Sequence, residues 1–144
     1  MMKKTILLSA LALTLLAAGC TVSKPIPASQ AKFIPDNRIY NKQLIAPKAG
    51  SGEVVVKRDG GFVGSLCNIK VFVDGNLSAE IAPGEKVIFY LPEGPHILGV
   101  WPNKPCGGGA MEMETEALVT TKRSLAFRVG YGVAAGYFIY PTTL

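Results

Sequence analysis

From Ser51 to the end of the chain, apolar and polar positions alternate in short runs separated by turn residues. EVVVKRD opens the series as a β-branched run. IKVFVD then sets Ile69, Val71 and Val73 on one side and Lys70, Phe72 and Asp74 on the other, the two-residue period of a half-buried strand. LSAEIA, KVIFYLP, HILGVWP, MEMETEALVT, SLAFRVGYG and GYFIYP follow. Asp74-Gly75 is a hairpin signal, because Gly accepts the positive φ such turns require. Turn residues recur about every eight to twelve positions and no run keeps a helical period, which predicts an all-β fold. The expectation is a single small antiparallel β-sandwich of about seven or eight strands over residues 51–144. No repeat of solenoid or propeller length is visible.

Residues 20–50 read differently. Pro25, Pro27, Pro35 and Pro47 interrupt any helix, and Ser, Ala, Lys and Gln fill much of the rest. This composition predicts an extended, flexible tether. Phe33-Ile34 and Arg38-Ile39-Tyr40 are apolar enough to dock on the domain, so the later part is expected to be partly ordered and the first dozen residues mobile.

The first nineteen residues have the order of a secretory signal: Lys3 and Lys4, then an apolar run from Thr5 to Ala18, then small residues before Cys20. The run is about 14 residues long, short of the roughly 20 that a membrane-spanning helix needs. Ala17-Ala18-Gly19-Cys20 resembles the lipobox of bacterial lipoproteins, with Ala17 where Leu is usual and Leu16 one place earlier. The resemblance implies cleavage before Cys20 and fatty acylation of its thiol, with three acyl chains on the mature N-terminus. One chain alone holds a protein only marginally to a bilayer. Thr21 rather than Asp after the cysteine implies the outer membrane in enteric bacteria. A buried N-terminal helix with an ordinary Cys20 is the alternative.

Removal of the signal leaves about 125 residues, the size of one domain, and its two lysines take the formal charge from +5 to +3. There is no Lys/Arg run and no interleaved aromatic platform, so nucleic-acid binding is not indicated. Of the three cysteines, assigning Cys20 to lipid leaves Cys67 and Cys106 as a pair in an oxidising compartment. A structural disulfide is the expectation and two free thiols the alternative. Two thiols and the lone His96 fall short of a zinc ligand set, and no C-x-x-C redox motif occurs.

The stretch RDGGFVGSLCNIKVFVDGNLSAEIAPGEKVIFYLPEGPHILGV resembles small proteobacterial lipoproteins of the DUF2846 type, a group without an established activity. The matching positions are Arg58, Asp59, Gly61, Phe62, Gly64, Ser65 and Cys67; Asp74 and Gly75; Gly84, Glu85, Phe89, Tyr90, Gly94 and His96; and Cys106 with Gly107. The hairpin rhythm is also similar to PEGA domains, small β modules of envelope proteins. The resemblance covers roughly residues 53 to 108. It implies an Ig-like or PEGA-like sandwich, a disulfide and an envelope location, and it supplies no catalytic residues.

The residues themselves offer little chemistry. His96 is the sole imidazole and lies between a turn and an apolar strand, a common place for a structural histidine. Ser65 in GFVGS fits neither the nucleophile elbow nor the phosphate-binding loop. Glu112, Glu114 and Glu116 would line one strand face at about 7 Å intervals, with Met111, Met113 and Ala117 on the buried side. A flat row cannot gather the six to eight oxygens calcium prefers, so a solvated face is expected, with Glu114 facing Arg128 across strands. Trp101 and the tail aromatics Tyr137, Phe138 and Tyr140 are either core or contact surface.

The sequence therefore leads to an envelope lipoprotein anchored by lipid, on the periplasmic face of the outer membrane. Its β domain would bind or support another envelope or cell-wall component without catalysis, cofactor or metal. The alternative is a defensive binding module: a periplasmic inhibitor of a hydrolase, or a phage-exclusion lipoprotein.

Overall fold

The computed structural model of the chain describes residues 23–61, 65–106, 113–132 and 136–143. Among the described residues nine strands form two sheets. They are β1 (Lys32–Phe33), β2 (Ser51–Arg58), β3 (Ile69–Val73), β4 (Asn76–Ile81), β5 (Glu85–Pro92), β6 (Gly94–Pro102), β7 (Met113–Val119), β8 (Leu125–Gly132) and β9 (Gly136–Thr142). The five-stranded sheet has the order β1-β5-β2-β8-β9, and the four-stranded sheet the order β4-β3-β6-β7. The described residues contain no α-helix, only two three-residue 3-10 turns at Asp36–Arg38 and Lys42–Leu44. All eight runs read from the sequence are strands, as their period demands.

The period also chooses which side chains meet. In β5, Val87, Phe89 and Leu91 are buried, whereas Lys86, Ile88 and Tyr90 face outward. In β3 the buried positions are Ile69, Val71 and Val73. These two sets, with Leu98 and Val100 of β6 and Val129 and Ile139 of β8 and β9, belong to one core between the sheets. Each fully buried aliphatic side chain contributes about 1.5–3 kcal/mol relative to exposure. The Asp74-Gly75 turn has φ of 50° and 74° at its two residues, the paired positive angles of a type I′ hairpin.

Two expectations are corrected. First, the sheets are not wholly antiparallel: β2 pairs in parallel with β8, and β1 with β5. Only β3–β4, β6–β7 and β8–β9 are hairpins within a sheet; β1 and β2 share the five-stranded sheet on either side of β5, and the other connections pass from one sheet to the other. Consequently β8 arrives beside β2 running the same way, and alternation of side chains carries no information about strand direction. Second, residues 23–50 are not a free tether: the docking expected of Ile34 and Ile39 occurs, and the chain is already fastened at Ser23 and Lys24, where mobility was expected. Ala28 covers Val55 and Ala126 on the outer face of the five-stranded sheet, which is why VVV in β2 is buried on both sides. Ala31 and Ile34 are buried as well, and Ile34 enters the main core. The segment then closes the open side between β5 and β4. Arg38 pairs with Glu85 at 2.6 Å, Tyr40 Oη donates to Glu80 at 3.0 Å, and Ile39 bridges to Ala79. Apolar burial outweighed the extending tendency of the prolines.

The strand directions give the unit two unlike ends. At the first lie the end of β2, the turn from Ala82 to Gly84, the start of β3 and the β8–β9 hairpin. At the second lie Asp74-Gly75, Glu93 and the Thr120–Arg123 turn.

Candidate functional site

Three features of the described residues combine polar chemistry or apolar concavity, and each begins with a local sequence rule. The first is at the first end, where the β-branched run of β2 finishes in Arg58-Asp59. Alternation turns Arg58 toward the interior, and it is buried there. Its Nη1 donates to the carbonyls of Cys67 (2.6 Å) and Ile81 (3.1 Å). Burial lowers its pKa to about 10, with Tyr137 and Glu85 acting in the opposite direction, so it is cationic at neutral pH. Asp59 is equally buried. Its Oδ2 accepts from Ser23 Oγ at 3.0 Å and from Arg128 Nη2. Oδ1 of Asp59 and Nε of Arg128 are buried without a hydrogen-bond partner. Arg128 also lies over the Phe138 ring, 5.4 Å from its centroid.

Beside this cluster Cys67 and Cys106 are joined in a disulfide, with Cα atoms 6.1 Å apart. The expected pair is therefore a bond, and Arg58 braces it through the Cys67 carbonyl. Ser23, Tyr131 and Tyr137 border a cavity of about 10 Å³, counted for the centre of a water-sized sphere. That is about the space one water needs, and too little for an organic substrate. The paired rings of Tyr131 and Tyr137 are 4.9 Å apart, edge to face, and burial pushes the Tyr137 hydroxyl pKa up.

The second feature is His96, at the other end. Its Nδ1 is 2.8 Å from Asp74 Oδ2 and its Nε2 2.9 Å from the Pro92 carbonyl. Both partners are acceptors, so both contacts are hydrogen bonds only when the ring carries two protons. Asp74 Oδ1 also accepts from the Ile97 N–H at 2.9 Å. Partial burial alone would raise the Asp74 carboxyl pKa, but the His96 and Ile97 hydrogen bonds and the His96 charge together hold it below the usual range. His96 thus fastens one inter-strand turn to another. Ser65 precedes Cys67 at the first end, so the fold separates Ser65 and His96 by the length of a strand.

The third feature is an apolar groove of about 350 Å³ where β1, only two residues long, leaves much of the β5 edge without a strand neighbour. Phe33, Ile39, Ile45, Ile88 and Tyr90 line it. Phe33 is 65 % exposed and the Lys86 ammonium stands 4.6 Å from its ring centroid. This volume lies in the range of small-ligand and peptide clefts.

The remaining candidates are dispersed. Cys20 and Glu112 lie outside the described residues. Glu114 and Glu116 are exposed, as expected of a solvated face, but Glu114 does not meet Arg128, because β7 and β8 belong to different sheets and Arg128 is taken by Asp59. Among the described residues no three His, Cys, Asp or Glu gather as a metal site, and no helix is long and apolar enough to cross a membrane. Trp101 stands on the outer face of the four-stranded sheet opposite Lys70, half-buried. The tail is an edge strand with Tyr137 and Ile139 inward and Phe138 stacked on Tyr140 outside. The sequence signals Arg58-Asp59 only as two adjacent charges that end an otherwise apolar run.

No protein-family model, curated protein or solved structure matches the chain.

Proposed function

We propose that this protein is a bacterial envelope lipoprotein, anchored through acylated Cys20 to the outer membrane, whose domain is a binding or supporting module rather than an enzyme. The observation that carries the reading is the Cys67–Cys106 disulfide. Bonds of this kind persist in exported compartments and are rare where thiols are kept reduced. It leaves Cys20 as the single remaining cysteine, behind a signal-like run and inside a lipobox-like sequence. The polar clusters at Asp59 and His96 support the same reading, since each serves to fasten strands and the cavity beside Asp59 is too small for a substrate. The groove beside Phe33 is the surface through which the module would hold an apolar segment of an envelope partner. We read the two sheets as a sandwich of the Ig-like or PEGA-like kind.

The test is metabolic labelling with a clickable fatty-acid analogue. The wild-type chain should take up label and fractionate with outer membrane, and Cys20→Ala should do neither. An unlabelled wild-type protein that still begins with Met1 would overturn the proposal. Photocrosslinking from position 33 in intact cells should capture a partner that a groove-facing Ile88→Asp change releases.

A further inference from the structure

Residues 23 and 24 place the folded unit close to its anchor. Lys24 is tied to Gly60 by two backbone hydrogen bonds, N–H to carbonyl in each direction, of 2.7 and 2.8 Å. One residue earlier, the Ser23 hydroxyl donates to the buried Asp59 carboxylate at 3.0 Å. Only three residue steps separate Cys20 from Ser23, and a chain spans at most about 3.6 Å per residue. Whatever conformation those steps adopt, the Cys20 Cα lies within about 11 Å of the Ser23 Cα. A strand of eight residues measures roughly 27 Å, so the opposite end, with Thr121 to Arg123, is held well away.

The end nearest the anchor carries a free apolar side chain. Leu66, one residue before the disulfide, is 93 % exposed. The Arg58 bond to the Cys67 carbonyl keeps this turn beside Asp59. At this end the turn Ala82-Pro83-Gly84 is uncharged and the Asp59 carboxylate is buried against Arg128, while Lys24 and Lys104 are exposed. The far end has Asp74, Glu93, Lys122 and Arg123.

From the place where the fastened chain begins, we infer that the Asp59 end of the domain rests against the bilayer, with Leu66 at the headgroup boundary. The domain is held flat by a three-residue link instead of swinging on a thirty-residue tether. This orientation rests on the acylation of Cys20 proposed above. It also directs the His96 end away from the lipid, toward the periplasmic space.

The experiment uses the full mature lipoprotein reconstituted in vesicles with or without acyl-brominated lipid. Intrinsic fluorescence is read in Trp101→Phe backgrounds that carry Leu66→Trp or Lys122→Trp. Brominated lipid should remove about half or more of the Leu66→Trp emission and leave Lys122→Trp unchanged, because an interfacial side chain sits roughly 5–10 Å into the boundary. Inserting a flexible Gly/Ser segment between Val22 and Ser23 should reduce the Leu66→Trp quenching. Intact mass of the N-terminal peptide separates the two ideas. No acyl mass on Cys20 removes the lipoprotein reading and the orientation with it. Acyl mass with unquenched Leu66→Trp, with Lys122→Trp quenched as strongly, or with quenching indifferent to the insertion overturns the orientation alone.

Discussion

Opening the Cys67–Cys106 bond leaves the native contacts almost intact and releases the unfolded chain. The two cysteines are 39 residues apart, and closing a loop of that length removes unfolded-state entropy worth about 4 kcal/mol at 25 °C. Native geometry on both sides of the bond is held by other means: Cys67 is 2 % exposed, its carbonyl accepts from Arg58, and Cys106 packs against the main core. The whole loss should therefore fall on the equilibrium and not on the fold. Unfolding entropy is about 2.1 cal/mol/K per residue near the midpoint, or about 0.26 kcal/mol/K for the mature chain, so Tm should drop by about 15 °C. Calorimetry of the oxidised protein, the reduced protein and the Cys67→Ala/Cys106→Ala double variant measures this. Reduced and double-variant proteins should melt together, and circular dichroism below the transition should be unchanged. A drop under about 4 °C, near 1 kcal/mol on the same scale, would refute the account. So would loss of native structure on reduction.

Three further outcomes follow from individual contacts. Asp59→Asn leaves the Arg128 cation without its counter-charge; breaking buried pairs costs about 3–5 kcal/mol, and with Arg128 at 28 % side-chain exposure a loss of about 2 kcal/mol in urea denaturation is expected. Arg128→Met added to it should restore most of that loss, and equal losses in single and double variants would deny the coupling. Gly52→Ala would place a Cβ 2.3 Å from the Thr120 carbonyl oxygen, backbone that cannot step aside, so about 1–3 kcal/mol should be lost in the same assay. The Glu93 carboxyl is held below its ordinary pKa by the Thr121 N–H and hydroxyl at 2.7 and 2.8 Å, and the Asp74 carboxyl is lowered as well. A lowered folded pKa gives stability that is present above the unfolded value, near 4 for both groups, and is lost as pH falls through the folded one. The urea midpoint should thus decline below about pH 4, less steeply in Asp74→Asn/Glu93→Gln.

The orientation inferred here gives the N-terminal segment two tasks. It fastens the domain to its anchor point through Ser23 and Lys24, and it completes the core through Ile34 and Ile39. Removing residues 23–50 to obtain a shorter domain should expose Val55, which Ala28 covers, and strip Ile34 from the main core. Such a truncation tests stability and not function.

The sequence by itself determined that the chain would be all-β with about seven or eight strands, roughly where each would run and, in IKVFVD, which side chains would be buried. Side-chain alternation and turn chemistry are local properties, so Val71 and Phe89 reveal their faces without reference to any neighbour. It also singled out Cys67 and Cys106, because counting cysteines needs no coordinates. Only tertiary structure decided that β8 lies parallel to β2, that Arg128 answers Asp59 and not Glu114, and that the segment bearing Pro25, Pro27 and Pro35 lies against the domain. These are choices between partners distant along the chain. Pairing direction, charge partnership and docking depend on which surfaces are left uncovered once the sheets have met, and no single stretch of residues encodes that.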